Sequence, residues 1–257
     1  MEKSWDPDVY LRYQAYRARP AFDLMKQIKL DIDGNIVDLG CGPGNVTKHL
    51  KDTWPNRVVT GVDKSETMLA RARDSYPEIS WEKGDIATWT AEQPMALIFS
   101  NAALHWLSNH HQVLPRLLRS VKTGGWLAFQ IPVTEESEYQ KCIQATVSSR
   151  RWSNRLANVW TYKNPMDPNY YYDLLTNDST SIDIWMTDYH HILEGQNPVA
   201  DWIMGTGLTP YLAVLNKAEQ TNFISDYKQR VLAAYPKHAN GKTLFLMKRI
   251  FVLAQKA

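Results

Sequence analysis

From residue 35 onwards, apolar positions along the chain follow two alternating patterns. Short apolar runs typical of buried strands are each followed by a segment in which apolar residues recur at helical spacing. The predicted strands are 36–37, 57–62, 79–81, 96–100 and 126–131, the last one after a turn at Thr123-Gly124-Gly125. The predicted helices are 46–50, 65–73 and 111–120. This alternation predicts a parallel sheet with right-handed crossovers.

The regions that flank this alternation have other patterns. Between residues 9 and 28, apolar positions at helical spacing lie on both sides of Pro20 and predict two short helices. After Pro132 the strand and helix rhythm is lost. The pattern there predicts a helix at 136–150, a polar segment at 152–169, a helix at 170–176, an alternating strand near 182–192, helical pieces at 193–215 and a last strand at 242–254.

Composition narrows the classes of function and partner. The 257 residues include two cysteines, one of them in a glycine-rich turn, so a disulfide framework is not expected and a reducing compartment is. Residues 1–10 show no apolar run typical of a signal peptide, and no window resembles a membrane span. We therefore expect a cytoplasmic protein without a membrane partner.

Charge and aromatic content point to a small-molecule ligand. The formal net charge is +2, with no long block of Lys or Arg, which argues against a nucleic-acid partner. Ten Trp and thirteen Tyr are present, and such flat side chains with one polar group suit pockets that enclose organic molecules, although they also pack in ordinary cores. We expect a small-molecule carboxylate substrate and a monomer or weak dimer.

A glycine-rich turn follows the first predicted strand, in the segment DLGCGPG from Asp38 to Gly44. Gly40, Gly42 and Gly44 let the backbone bend sharply and approach a ligand closely. The dinucleotide fingerprint G-x-G-x-x-G places its third glycine one residue later, which weakens a pyrophosphate interpretation. Asp38 would repel a pyrophosphate but attract the α-amino group of S-adenosylmethionine (SAM), through water. The turn therefore favours SAM as the cofactor.

Polar residues also follow the next three predicted strands. Asp63, 19 residues after Gly44, can accept hydrogen bonds from both ribose hydroxyls. Asp85 can accept from the adenine amino group, with Ile86 offering its amide and an apolar contact, although an Asp after a strand is by itself more often a helix cap. The full predicted cofactor-binding set is Asp38, Gly40, Cys41, Gly42, Gly44, Asn45, Asp63, Lys64, Met68, Asp85, Ile86 and, at the methionine end, Asn101 and Ala102.

These motifs carry a family resemblance. The segments DLGCGPGN, GVD, GDIATW and SNAALHW occur in the order and spacing of class I SAM-dependent methyltransferases. More narrowly, most of the chain resembles the trans-aconitate 2-methyltransferases, through WDPDVYLRYQAYRARP, SNAALHWLSNH, YYDLL, DIWMTDYHH, DWIMGTGLTPYL and the end of the chain. The resemblance implies methyl transfer to a carboxylate oxygen of trans-aconitate or a similar small polycarboxylate, with S-adenosyl-L-homocysteine as the other product.

The resemblance also implies a fold and a domain organisation. The fold is α/β, with a Rossmann-like, seven-stranded, mostly parallel sheet, helices on both faces and a helical cap over the ligand edge. We expect an N-terminal helical lid at 1–30, the SAM-binding core at 31–132, cap insertions at 133–240 interleaved with a core strand near 182–192, and a final core strand at 241–257.

Carboxylate methylation by SAM needs no catalytic side chain, because the acid is ionised at neutral pH and the sulfonium is an activated leaving group. Positioning lowers the barrier instead, so the side chains to seek are those that bind the acid's other carboxylates, and Arg suits this best. Among the N-terminal arginines, Arg19 is the preferred candidate. The alternative interpretation is that these arginines lie on the exposed face of an amphipathic helix. The predicted substrate-binding set is Arg19, Trp5, Tyr10, His105, Trp106 and Tyr171.

Three alternatives stay open at this stage. In the first alternative, the methyl acceptor is another acid, such as a malonyl thioester on a carrier protein, or another small nucleophile. In the second, the chain binds SAM without transferring methyl groups. In the third, it is a nucleotide-binding regulatory module. The paired histidines His110-His111 and His190-His191 suggest a metal site, but adjacent histidines project differently and lack partners at ligand spacing, so no metal is predicted.

Overall fold

The computed structural model describes residues 14–159 and 166–257, with side chains from Tyr16 onwards. The described residues cluster into two compact units. The sheet unit consists of residues 18–132, 166–187 and 249–257. The helical unit consists of residues 14–17, 133–159 and 188–248. The two last strands of the chain contribute residues to both units.

The sheet has seven strands within the described residues, in the order β3-β2-β1-β4-β5-β7-β6. Their bounds are β1 Ile36–Leu39, β2 Val59–Asp63, β3 Ser80–Lys83, β4 Met95–Asn101, β5 Val121–Val133, β6 Ser179–Leu193 and β7 Thr243–Lys256. The pairs β3-β2, β2-β1, β1-β4 and β4-β5 are parallel. From β1 the chain moves outward to β3 and then returns to β4 on the other side of β1, so β1 and β4 form the switch point at which α/β sheets bind ligands.

The strand predictions are confirmed, and the central strands show why apolar runs identify them. All four residues of β1 are buried, and β4 is buried from Ala96 to Ser100, as expected for parallel strands covered on both faces. The turn predicted at Thr123-Gly124-Gly125 is wrong. These residues lie inside β5, where the pairing with β4 shifts between Met95 and Leu97, so the chain forms an irregularity within the strand instead of a turn before it.

The helices agree with the predicted positions in the sheet unit. The α-helices of both units, within the described residues, are α1 Gln14–Met25, α2 Asn45–Thr53, α3 Glu66–Ser75, α4 His110–Arg119, α5 Glu138–Val147, α6 Ser153–Leu156, α7 Pro168–Leu175, α8 Pro198–Met204, α9 Thr209–Ala213 and α10 Lys217–Ala234. Ser65 caps α3, since its hydroxyl accepts a hydrogen bond from the amide of Met68, and Glu66 lies in the first turn as predicted.

Two helix predictions need correction. The two short helices expected on either side of Pro20 are, within the described residues, one helix, α1, with Pro20 inside it. Continuing the helix buries Ala21 and Leu24 on one face, and this packing outweighs the hydrogen bond that proline cannot donate. The long helix α10 was not predicted. Its start does carry a local signal, because Asn216 and Glu219 form a capping box with bonds of 2.9 and 3.0 Å.

The helical unit has its own aromatic core. The ring of buried His191 stacks on Trp202 at 4.9 Å between centroids, and Tyr16 packs edge-on against His191 at 5.1 Å. Arg17 donates a hydrogen bond to the carbonyl oxygen of Trp202 at 3.1 Å and lies 5.1 Å from the centre of its ring. Of the helices in the described residues, none is long and apolar enough to cross a membrane.

Candidate functional site

The glycine-rich turn between β1 and α2 is held by its neighbours in the sheet. The amides of Gly40 and Cys41 both donate to the carbonyl oxygen of Val62 at the end of β2, at 2.8 and 3.1 Å. Gly40 has φ +78°, and a Cβ at this position would overlap the Cβ of Ala103, which follows β4. The turn is therefore in direct contact with the segment that leaves β4, and only glycine fits there.

Asp38 lies under this turn as a buried carboxylate. One oxygen, Oδ2, accepts a hydrogen bond of 2.6 Å from the hydroxyl of Thr47 on α2. The other, Oδ1, is buried and accepts no hydrogen bond from any side chain or backbone group in the described residues. Burial, and to a smaller extent the charge of Asp63, raise the pKa of Asp38 to about 7, although the bond from Thr47 lowers it.

This turn fits the cofactor that the sequence predicts. The buried Oδ1 of Asp38 needs a donor, and the ammonium group of SAM is a donor of the required charge. A Cβ at Gly42 would meet no atom within 4 Å, so this side of the turn leaves space for a ligand close to the backbone. Asn45, the first residue of α2, is half-buried. Cys41 is buried, and burial, then the charges of Asp38 and Asp63, raise the pKa of its thiol.

Asp63 ends β2 and ties two backbone segments together. Its Oδ2 accepts from the amide of Gly42 at 2.9 Å, and its Oδ1 accepts from the amide of Ser65 at 2.8 Å. Each carboxylate oxygen can accept a second hydrogen bond, so both remain able to receive ribose hydroxyls. Lys64 is exposed, and Met68 is half-buried in the first turn of α3. The strand end thus orients a carboxylate beside the glycine-rich turn.

The segment after β3 places Asp85 and Ile86 differently. Asp85 is exposed, and its Oδ1 accepts from the amide of Ala87 at 2.9 Å, the bond of an Asx turn. Ile86 is buried, and its Cδ1 would lie 3.2 Å from a Cβ at Gly40. Arg116 on α4 donates to the carbonyl oxygen of Ile86 at 2.7 Å, which fixes this apolar side chain against the turn.

The end of β4 is shaped by an unusual backbone conformation. Ala102 has φ +50°, the left-handed region, which a residue with a side chain rarely adopts. Its amide donates to the carbonyl oxygen of Gln130 on β5 at 2.9 Å. The side-chain amide of buried Gln130 also donates to Oδ1 of Asn101. β5 therefore orients both predicted residues, and local strain of this kind is often found at binding sites.

His105 and Trp106 lie in a short 3-10 helix, Leu104–Trp106, directly after Ala103. His105 is buried, and its Nδ1 has no hydrogen-bond partner in the described part of the chain. Burial, then the charges of Arg249 and His110, lower the pKa of His105 to about 3, so its imidazole is neutral. Trp106 is exposed, and its ring centre lies 4.8 Å from that of His105.

Of the other predicted substrate residues, the structure describes Tyr171 and Arg19. Tyr171 is fully buried, with its hydroxyl 3.0 Å from Nδ1 of His110 and its ring against Phe129, so it serves the core of the sheet unit. Arg19 lies on the exposed side of α1 and pairs with Asp23. The positions of Trp5 and Tyr10 fall outside the described residues.

Sequence reasoning missed several residues that shape the site: Thr47, Trp81, Arg116, Gln130 and Arg249. Most of these residues have no neighbouring sequence pattern that would have pointed to a role in the site. Trp81, for example, fills the space that a side chain at Gly44 or Gly61 would occupy, a contact between residues far apart in sequence. Arg249 does carry a signal, because it is a charge inside the apolar run TLFLMKRIFVLA, and the structure buries it.

Comparison with known proteins agrees with this geometry. A family model described as a methyltransferase domain matches residues 36–125. The trans-aconitate 2-methyltransferase of Variovorax paradoxus is 38% identical over 98% of both chains. The trans-aconitate 2-methyltransferase of Streptomyces avermitilis is 39% identical over 98% of this chain and 97% of its own.

Solved structures share the fold at much lower identity. The YcgJ protein from Bacillus subtilis superposes with a TM-score of 0.60 at 13% identity, over 93% of this chain and 98% of that chain. The phosphoethanolamine N-methyltransferase 2 of Haemonchus contortus, solved in complex with S-adenosyl-L-methionine, gives a TM-score of 0.54 at 15% identity, over 93% of this chain and 53% of that chain.

Proposed function

Since this chain belongs to the family of trans-aconitate 2-methyltransferases, we propose that it transfers a methyl group to a carboxylate oxygen of trans-aconitate or a related small polycarboxylate. It is a SAM-dependent methyltransferase. The observation that carries the substrate proposal is the extent of the similarity. Identity of 38% spans 98% of both chains and so includes residues well beyond the matched methyltransferase domain at 36–125.

The reaction needs little chemistry from side chains. When bound, SAM supplies a methyl group on a positively charged sulfur, which is already a good leaving group. A carboxylic acid with a pKa near 4 is ionised at neutral pH, so no general base has to remove a proton from the acceptor. The task of the protein is to hold the carboxylate oxygen in line with the methyl group and to exclude water. The neutral, buried His105 agrees with a site that does not depend on proton transfer.

Each end of the cofactor has a proposed set of residues. Oδ1 of Asp38 accepts from the ammonium group, because it is buried and lacks a donor among the described residues. Asp63 accepts from the ribose hydroxyls, while its bond to Gly42 holds the turn in place. Asp85 and Ile86 form the adenine end, as the order of the strands predicts.

The methionine end and the substrate lie beside the end of β4. Asn101 and Ala102 line the methionine end, where Gln130 orients both of them. The acceptor lies beside His105 and Trp106. These residues are two and three positions after Ala103, the residue that contacts Gly40.

The test is methyl transfer from labelled SAM to a panel of acceptors: trans-aconitate, cis-aconitate, citrate, malonyl-CoA, a fatty acid and a small amine. We expect label in a base-labile monomethyl ester of trans-aconitate or a related polycarboxylate, identified by mass spectrometry. Methylation of the amine alone, or of malonyl-CoA with no activity on polycarboxylates, would contradict the proposal. A parallel titration with SAM and NAD checks the cofactor independently.

A further inference from the structure

The turn that follows β3 is closed by hydrogen bonds of its own. The carbonyl oxygen of Asp85 accepts from the amides of Thr88 and Trp89, at 3.0 and 2.8 Å. Oδ1 of Asp85 accepts from the amide of Ala87 at 2.9 Å. Since the N–H and the C=O of a trans peptide group point in opposite directions, the amide of Ile86 points away from the carbonyl group of Asp85 and its bonds. That amide and the second carboxylate oxygen, Oδ2 of Asp85, remain able to bind a ligand.

Arg116, in the last turn of α4, holds two further groups of this turn. Its two terminal nitrogens donate to the carbonyl oxygens of Ala87 and Ile86, at 2.8 and 2.7 Å. Its Nε is buried and has no hydrogen-bond partner in the part of the chain that the structure describes. The hydrogen bonds that the structure shows for this guanidinium therefore all go to the turn after β3, and a rigid planar fork on two adjacent carbonyl groups fixes the orientation of both.

The peptide group between Ile86 and Ala87 connects Arg116 to the carboxylate of Asp85. Its carbonyl oxygen accepts from Arg116, and its N–H donates to Oδ1 of Asp85. Because a peptide group is planar, fixing one end orients the other, and successive hydrogen bonds polarise one another. Arg116 therefore sets the direction in which the carboxylate of Asp85 presents its second oxygen.

The same turn lies against the cofactor turn. Cδ1 of Ile86 would be 3.2 Å from a Cβ at Gly40, and the amide of Gly84 donates to the carbonyl oxygen of Asp63 at 3.1 Å. An N–H and a carboxylate oxygen on adjacent residues match one edge of adenine, where the ring nitrogen N1 accepts and the 6-amino group donates. A 6-oxopurine reverses both roles, because its N1 carries a proton and its 6-position accepts.

We propose that Arg116 is a positioning residue for the cofactor's base: by fixing the carbonyl groups of Ile86 and Ala87, it makes the site select a 6-aminopurine over a 6-oxopurine. The inference rests on the proposed function, which assigns Asp85 and Ile86 to the adenine end. Arg116 acts through these two residues and needs no contact with the cofactor itself. The methionine end of the cofactor does not depend on it.

The experiment measures by calorimetry the Kd of S-adenosyl-L-homocysteine and of S-inosyl-L-homocysteine, which differ only at the 6-position and N1 of the base. Wild-type protein should bind the inosyl compound at least about 100-fold more weakly, because a carbonyl group then meets the carboxylate and two N–H groups meet each other. Arg116→Met should reduce this preference about tenfold or more, through weaker binding of the adenosyl compound.

Two further variants test the geometry. Arg116→Lys keeps a charged donor but loses the fork, so it should retain part of the preference. Arg119→Met is the matched control, because Arg119 is an exposed arginine in the same last turn of α4. This control should keep the wild-type preference, and its Kd for either compound should stay within about twofold of wild type, the range of a surface substitution.

The preference between the two compounds is the readout that a purely structural role would not change, because both share the ribose and the homocysteine. An equal loss of affinity for both, or a wild-type preference in Arg116→Met, overturns the role of Arg116 and leaves the adenine end of the proposed function intact. Wild-type protein that binds both compounds equally well overturns the assignment of Asp85 and Ile86, and this inference with it. Should Arg116→Met fail to fold, Arg116→Lys decides in the same assay, with a reduced preference in support and a wild-type ratio against.

Discussion

Replacing Asp38 by Asn removes a buried charge from the cofactor turn and keeps the shape of the side chain. The pKa of Asp38 rises from 3.8 to about 7 in the folded protein, mainly through burial. A carboxyl group with a raised pKa binds its proton more tightly in the folded state, so stability falls as pH increases from 3.8 to about 7. At about 1.4 kcal/mol for each pKa unit, ionised Asp38 lowers the free energy of unfolding by about 4 kcal/mol.

Asp38→Asn should therefore be more stable than wild type above pH 7, by up to about 4 kcal/mol, and nearly equal to it at pH 4. SAM binding should change in the opposite direction. The ammonium group needs an ionised partner, so the variant should bind SAM at least about tenfold more weakly at pH 8, as for the loss of a hydrogen bond between charged groups. Below pH 7 the affinity of the wild type should fall by up to about tenfold per pH unit, because Asp38 must lose its proton, and the variant should lack this slope.

Urea unfolding followed by tryptophan fluorescence measures the stability, and calorimetry with SAM between pH 5.5 and 8 measures the affinity. Ionisation of SAM itself is common to both proteins and cancels in the comparison. Asp52→Asn is the control, since Asp52 is an exposed carboxylate on α2 whose ion pair with Lys48 contributes about 1 kcal/mol at most, and SAM affinity should not change. Wild-type affinity in Asp38→Asn, with the same dependence on pH, would refute the pairing with the ammonium group. No gain in stability at pH 8 would refute the claim that the buried, ionised carboxylate of Asp38 lowers the free energy of unfolding.

Three further predictions concern the same site. Asp63→Asn should weaken SAM binding about 10- to 100-fold by calorimetry, because an amide replaces one of the two acceptors, and wild-type affinity would contradict a ribose contact. In urea unfolding, Gly40→Ala should lower the free energy of unfolding by more than the roughly 1–3 kcal/mol of a strained φ, since its Cβ also overlaps a neighbour. Gly42→Ala has a strained φ of +56° but no overlap, so it should lose less stability than Gly40→Ala and should also lose SAM affinity; an equal loss of stability in both variants would contradict the overlap at Gly40. The pH profile of kcat/KM should show no step from His105 between pH 5 and 9, because its pKa is about 3, and a step near 6.5 that His105→Gln removes would contradict its neutral state.

Local sequence signals were enough for much of the fold and for the cofactor turn. Strands β1 and β4 were predicted because a parallel strand buried on both faces must be apolar throughout, which leaves a run visible in the sequence. The glycines of the turn were equally visible, because the sharp bend and the close contact at Gly40 tolerate no side chain. The carboxylate at Asp63 follows from the same logic, since the ends of parallel strands meet at one edge of the sheet.

Features set by long-range packing were not predicted from the pattern. Pro20 suggested the end of a helix, yet burial of Ala21 and Leu24 keeps α1 continuous. Tyr171 suggested a hydroxyl for the substrate, but the structure uses that hydroxyl against His110 in the core. In both cases the local preference is weak compared with the free energy of burying an apolar surface.

By itself, the sequence determined that a SAM-type turn follows β1 and that carboxylates follow the next two strands, because these features depend on neighbours within a few residues. Only the tertiary structure decided the electrostatic state of the site. The pKa of Asp38 depends on its burial and on Thr47. The neutral state of His105 depends first on its burial and then on the charge of Arg249, a residue far away in the sequence. Electrostatic energies vary with distance and burial, and no spacing along the sequence reports either of them.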